Sequence, residues 1–171
     1  QTDPIIKNGS RIIRCGLLSH ETKEGFSIPV STSAVEQDPI HFGMPLTMKS
    51  VAEKVVINNT LVVTALTFGY RTLVMNWVCN LRELGISNFI IAAFDIELYK
   101  FGFVRGLPTY YESSVFEHTP IVHDAPYGTD SFKQITRAKS KVVLRFLKMG
   151  YNVLWSDCDI VFFRNPLHAL W

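Results

Sequence analysis

Short apolar runs alternating with stretches of helical spacing organise the chain from about residue 60 onward. The first run, Leu61-Val62-Val63-Thr64-Ala65-Leu66, is rich in β-branched residues and leads into Thr67-Phe68-Gly69, the pattern of a buried strand entering a turn. Leu73, Trp77, Leu81 and Leu84 then recur at three and four residues, with Gly85 behind them, which predicts an amphipathic helix with a glycine stop. The same unit repeats. Phe89-Ile90-Ile91-Ala92-Ala93-Phe94 reads as a second buried strand ending at Asp95, followed by a short helix to Phe103 and a break at Gly106-Leu107-Pro108. Residues 107–130 hold a short strand at Tyr110-Tyr111 and a Pro/Gly/His-bearing loop. A helix is predicted over about 131–149, with Ile135, Ala138, Val142, Phe146 and Met149 on one stripe and Gly150 as its stop. Tyr151 to Ser156 forms the last buried strand, and it runs directly into Asp157.

Near-continuous apolar strands separated by amphipathic helices predict an α/β fold, a mainly parallel sheet flanked by helices, because parallel strands need crossovers and are covered on both faces. Ligands bind such open sheets at the carboxyl ends of the strands. Three polar positions fall there, the turn at 64–68, Asp95 and Asp157, so they are expected to share one cleft. Residues 1–55 mix Ser, Thr, Pro and Gly with short apolar pieces and show no sustained period, so they read as an irregular lead-in to a domain over 56–171.

Composition narrows the picture little. At 171 residues and 47% apolar the chain is an ordinary globular domain with enough material for a core. A formal charge of +2 without a polybasic tail gives no reason to expect a nucleic-acid partner. No apolar run approaches the roughly 20 residues of a membrane span. Cys15, Cys79 and Cys158 belong to no zinc-binding cluster or disulfide framework, so they are expected as free or buried thiols. Asn8-Gly9-Ser10 and Asn58-Asn59-Thr60 are glycosylation sequons, which suit a secretory lumen. A start at Gln1 and an end at Trp171, soon after an Asn165-Pro166 turn, lead to the expectation of a fragment.

Candidate chemistry concentrates at Asp157-Cys158-Asp159, set between Val153-Leu154-Trp155-Ser156 and Ile160-Val161-Phe162-Phe163. If the backbone stays extended, period-2 geometry points both carboxylates to one side and Cys158 to the other. Two like charges so placed call for a cation. A hard ion such as Mn²⁺ or Mg²⁺ accepts carboxylate oxygens and keeps positions open for phosphate. The plain alternative is a pair of acidic residues capping a strand in water.

The run Asn152-Val153-Leu154-Trp155-Ser156-Asp157-Cys158-Asp159-Ile160-Val161-Phe162-Phe163-Arg164-Asn165-Pro166 resembles the DxD block of the nucleotide-diphospho-sugar transferase family that includes plant arabinosyl- and xylosyltransferases of glycosyltransferase family 77. The likeness extends through residues 135–141 and back to residues 61–69. It implies an A-type glycosyltransferase fold, a nucleotide-diphosphate sugar as donor, a glycan or glycoprotein acceptor, a divalent metal, retention at the anomeric carbon, and a membrane-anchored type II parent in the Golgi lumen. By the same resemblance Thr64, Ala65, Leu66 and Thr67 contact the nucleotide, Asp159 is the principal metal ligand, and Asp157 binds metal or ribose. The family's acceptor part and further donor contacts lie beyond its DxD, and no catalytic residue is assigned.

Arg137 and Lys141, four residues apart on one helix, share a face that can meet a diphosphate, or they belong to a solvated basic face with Lys133, Arg145 and Lys148. Asp95 contacts base or ribose, or caps the next helix. His118, His123 and Asp124 fit no metal-ligand spacing and read as ordinary loop residues. Trp77 reads as core. Asp157-Cys158-Asp159-Ile160-Val161 also resembles the DxDx[TV] motif of haloacid-dehalogenase-type phosphatases, in which the first Asp is the nucleophile. A non-catalytic nucleotide-sugar-binding remnant is the third reading.

Overall fold

Every position of β1 (Thr60–Leu66) is buried, as an unbroken apolar run requires of a strand covered on both faces. The computed structural model describes residues 46–114 and 129–169, except the side chains of residues 131 and 132. Around β1 stand β2 (Phe89–Ala93), β3 (Thr109–Tyr111) and β4 (Asn152–Trp155), in the spatial order β3-β2-β1-β4 with every pairing parallel. The helices are α1 (Met48–Val55), α2 (Arg71–Glu83), α3 (Ile96–Val104) and α4 (Asp130–Lys148). This is the expected α/β fold, a parallel sheet flanked by helices.

Alternation along β1 divides the core. Leu61, Val63 and Ala65 pack with Val51, Ala52 and Val55 of α1 and Ala138, Val142 and Phe146 of α4. Val62 and Leu66 pack with Val74, Trp77, Val78 and Leu81 of α2 and Leu98 of α3. Each sheet face therefore carries two helices, and the central strands β1 and β2 are buried throughout between them.

Chain direction across the sheet reverses once. From β1 the strands step outward to β2 and β3, and the chain then returns to place β4 on the other side of β1. The crevice between the carboxyl ends of β1 and β4 is the topological switch point, where open sheets of this kind bind ligands.

Helix ends follow the sequence. Gly85 (φ 72°) and Gly150 (φ 89°) adopt the left-handed conformation, and Ile86 N–H reaches back to Leu81 O, as Tyr151 N–H does to Phe146 O. These bonds satisfy carbonyls that the helix leaves open.

Four expectations are corrected. The lead-in assigned to residues 1–55 is not irregular at its end, where Thr47 and Ser50 form a capping box for α1, which joins the core. Leu73 and Met149, expected in the buried stripes of their helices, are each 38% exposed. The strand expected to be buried over Tyr151 to Ser156 is shorter and open on its edge: β4 ends at Trp155, with Asn152 exposed and Val153, Leu154 and Trp155 half-buried. The cysteines are not uniform, since Cys158 is a free thiol but Cys79 is disulfide-bonded. His118, His123, Asp124, Asn8 and Cys15 lie outside the described residues. Among the described residues no helix is long and apolar enough to cross a membrane.

Candidate functional site

A cleft of about 290 Å³ opens at the switch point, lined by Ala65, Leu66 and Thr67 from the end of β1 and by Asp157, Cys158 and Asp159 from beyond β4. Tyr70 and Leu73 close it from the start of α2, and Ile135, Thr136 and Lys139 from α4. Parallel pairing puts both strand ends at the same sheet edge, with Val63 opposite Trp155. That register brings residues some ninety positions apart in sequence into one crevice.

Both carboxylates reach solvent. Asp157 is 47% exposed at its side chain, and Asp159 is exposed as well. The backbone does not remain extended here, because it turns over Cys158 and Asp159, with Ile160 N–H donating to Asp157 O at 3.3 Å. The period-2 expectation therefore fails, and Cys158 lines the cleft beside its neighbours instead of pointing away from it. Burial, then Asp159 and finally Asp157 push the Cys158 thiol up to about 11, while Lys139 pulls the other way. It stays protonated at neutral pH.

The nearest cation comes from an unexpected position. Lys139 Nζ lies 2.7 Å from Asp157 Oδ1 and 5.9 Å from the Trp155 ring centroid. Arg137 and Lys141 are exposed and are not among the cleft-lining residues. At about 100° per residue, position 139 falls on the rim of the Ile135/Ala138/Val142/Phe146 stripe, whereas 137 and 141 fall well away from it. The phase of that stripe was the available signal.

Asp95 is committed to the fold. Its Oδ1 accepts Leu98 N–H at 2.7 Å as the N-cap of α3, and its Oδ2 accepts Phe68 N–H at 2.7 Å. The second bond ties down the turn that follows β1, so Asp95 shapes the cleft from behind without lining it. Thr64 is likewise buried within β1, not at the cleft surface, although its three successors line the crevice.

Residues 84–170 match the family model described as nucleotide-diphospho-sugar transferase. The chain belongs to that family. It is 38% identical over 129 residues to a beta-arabinofuranosyltransferase of Arabidopsis thaliana, a match covering 75% of this chain and 23% of the relative. An arabinosyltransferase of the same plant is 29% identical over 66% of this chain and 17% of its own length. A UDP-galactose:fucoside alpha-3-galactosyltransferase of Dictyostelium discoideum is 30% identical over 63% of this chain and 20% of its own length. The chain thus spans about a quarter or less of these curated relatives. No solved structure matches it significantly. These relatives are glycosyltransferases, and the family identifies the diphosphate of a nucleotide sugar as the chemistry to test against the cleft.

Proposed function

We propose that this chain holds the nucleotide-sugar donor of a metal-dependent glycosyltransferase, which moves a sugar to a glycan or glycoprotein acceptor with retention at the anomeric carbon. The observation that carries the reading is the pairing, across one cleft at the switch point, of the Ala65-Leu66-Thr67 strand end with the Asp157 to Asp159 turn, in a chain of the nucleotide-diphospho-sugar transferase family.

The donor set suits a hard divalent cation, Mn²⁺ or Mg²⁺. Asp157, half-buried, and Asp159, exposed, would supply carboxylate oxygens to such an ion and leave room for phosphate oxygens and water. Among the described residues no three His, Cys, Asp or Glu side chains converge, so the remaining ligands of such an ion would have to come from the donor and from water. When bound, such an ion supplies Lewis-acid stabilisation of the charge that builds on the departing diphosphate. Ala65, Leu66 and Thr67 then border the nucleotide, and Lys139 adds a charge-assisted contact to the diphosphate in the place once expected of Arg137 and Lys141. Asp95 acts on the donor only through the turn it ties down.

Transfer breaks the bond between the anomeric carbon and the diphosphate oxygen, forms one to an acceptor oxygen, and releases the acceptor's hydroxyl proton. No described residue is assigned as the base. A Golgi lumen and a membrane-anchored parent complete the proposal, and the disulfide at Cys79 fits an oxidising compartment of that kind.

Calorimetric titration of uridine diphosphate into the intact protein tests the reading, with Mn²⁺ or with chelator, for wild type and Asp159→Asn. Binding is expected to need Mn²⁺ and to disappear in Asp159→Asn. Equal binding by both proteins, or binding indifferent to chelator, overturns the metal clamp. Metal-dependent binding without transfer to any acceptor favours a binding remnant.

A further inference from the structure

Among the described residues no strand pairs with the Asp157 to Asp159 turn. β4 is an edge strand whose last ladder bond runs from Ser156 N–H to Val63 O at 3.1 Å, and the following residues lie outside the sheet. Hydrophobic packing holds only part of it: Cys158 and Phe162 pack against the core cluster of α2, whereas Ile160, Val161 and Phe163 are 45%, 60% and 97% exposed. On the metal-dependent reading, a pair of carboxylates that would have to be placed within about 0.5 Å is hung on this segment.

Helix α2 supplies the missing neighbour. Trp77, 1% exposed, donates its Nε1–H to Ser156 Oγ at 3.0 Å, immediately before the turn. Asn80, one helical turn later, grips the residue just after it: its Nδ2 donates to Phe162 O at 2.9 Å and its Oδ1 accepts Phe162 N–H at 2.8 Å. One side-chain amide thereby takes both main-chain groups of one residue, as an adjacent strand would. Farther on, Asn165 Nδ2 donates to Leu84 O at 3.4 Å, and Leu167 enters the core cluster of α2. The start of the same helix lines the nucleotide side of the cleft through Tyr70 and Leu73.

We propose that Asn80, assisted by Trp77, is a positioning residue of the donor site: from α2 it fixes Phe162 and Ser156, and so sets where the intervening Asp157 and Asp159 carboxylates stand relative to the Ala65-Leu66-Thr67 strand end. The inference rests on the metal-dependent reading above. Neither residue is among those lining the cleft. Their effect is to keep the two halves of the cleft in register, as outer partners of metal ligands do elsewhere.

The test measures the affinity of Mn²⁺ for the intact protein with uridine diphosphate by calorimetry, together with donor KM, for wild type, Asn80→Ala and Trp77→Phe. Asn80→Ala is expected to weaken Mn²⁺ binding about 10-fold or more and to raise donor KM, leaving acceptor KM unchanged. Excess Mn²⁺ should restore donor binding, a rescue that a purely structural defect does not show. Trp77→Phe keeps an aromatic ring in the core but removes the N–H together with the five-membered part of the buried indole, so it carries the test, on folded protein, should Asn80→Ala fail to fold. Its loss is expected to be several-fold. A folded variant that binds Mn²⁺ with wild-type affinity overturns the positioning role. Wild-type binding indifferent to chelator instead overturns the metal reading, and this proposal with it, so the two failures are told apart by the wild-type titration.

Discussion

Lys139 and Asp157, eighteen positions apart, form an ion pair of 2.7 Å between α4 and the end of β4. With side chains 32% and 47% exposed, the pair contributes at most about 1 kcal/mol to stability. Its value lies in where it holds a positive charge. Lys139→Met is therefore expected to change the melting temperature little but to weaken uridine diphosphate binding about tenfold, the loss of one charge-assisted contact. Arg137→Ala and Lys141→Ala should each change it less than about twofold. Calorimetry on the three variants decides; equal losses in all three would return the diphosphate contact to the whole basic face.

The contrast among these three basic residues shows how far the sequence could be read. Strands and helices were legible because buried parallel strands and amphipathic helices write their periods plainly, and Gly85 and Gly150 mark their ends. That the turn after β1 and Asp157 share one cleft was legible because both stand at the carboxyl ends of parallel strands. Lys139 was not, because picking it required the phase of α4 against the core and not merely the four-residue spacing of Arg137 and Lys141. Cys158 was misplaced for a similar reason, since extended geometry was assumed past Trp155, where the ladder has already stopped. Glu112 gave no signal at all, as a lone carboxylate after Tyr110-Tyr111 looks like any loop acid.

Cys158 now becomes a reporter of the cleft. A thiol held near 11 is mostly protonated at pH 8, so alkylation should be slow there and should rise about tenfold per pH unit up to pH 10. Asp159→Asn removes a charge that holds the thiol up and should speed the reaction at pH 8. Mass spectrometry of the labelled peptide follows the rate; a profile already flat at pH 9 contradicts the assigned environment.

Helix α3 meets β3 at a point with no spare room. A Cβ added at Gly102 would meet Thr109 Oγ1 at 2.2 Å and Thr109 Cβ at 2.8 Å, while that hydroxyl is itself buried without a hydrogen-bond partner. Gly102→Ala should therefore destabilise by about 1–3 kcal/mol through overpacking. Thr109→Val, which exchanges the unpaired hydroxyl for a methyl of similar size, should be neutral or stabilising by about 1 kcal/mol. Denaturant melts of both variants test this, and destabilisation by Thr109→Val would show that the hydroxyl does have a partner.

The last prediction concerns pH and a buried cluster on the far side of the sheet from α2. Glu112 is 2% exposed and accepts hydrogen bonds from Tyr110 OH at 3.2 Å, Ser114 N–H at 3.1 Å and Ser114 Oγ at 2.6 Å, with Arg145 of α4 as its ion-pair partner. Tyr110 is pushed well above its ordinary value, first by burial, then by the Glu112 charge and the hydrogen bond to it, against an opposing pull from Arg145. A raised folded-state pKa keeps its full stabilising effect below the unfolded value of about 10 and loses it as pH rises beyond that, because only the unfolded chain can then release the proton. Wild-type stability should consequently fall above pH 10, with up to about 1.4 kcal/mol per pH unit from this residue. Tyr110→Phe should cost about 1 kcal/mol at pH 7 for the lost hydrogen bond, yet show a shallower decline in the alkaline range. Arg145→Met, by contrast, strands a buried carboxylate and should cost about 2 kcal/mol at pH 7, below the 3–5 kcal/mol of fully enclosed pairs because Arg145 is 41% exposed. Urea melts of the three proteins between pH 7 and 11 give the slopes directly. Parallel slopes for wild type and Tyr110→Phe would mean that Tyr110 ionises in the folded protein as readily as in the unfolded one.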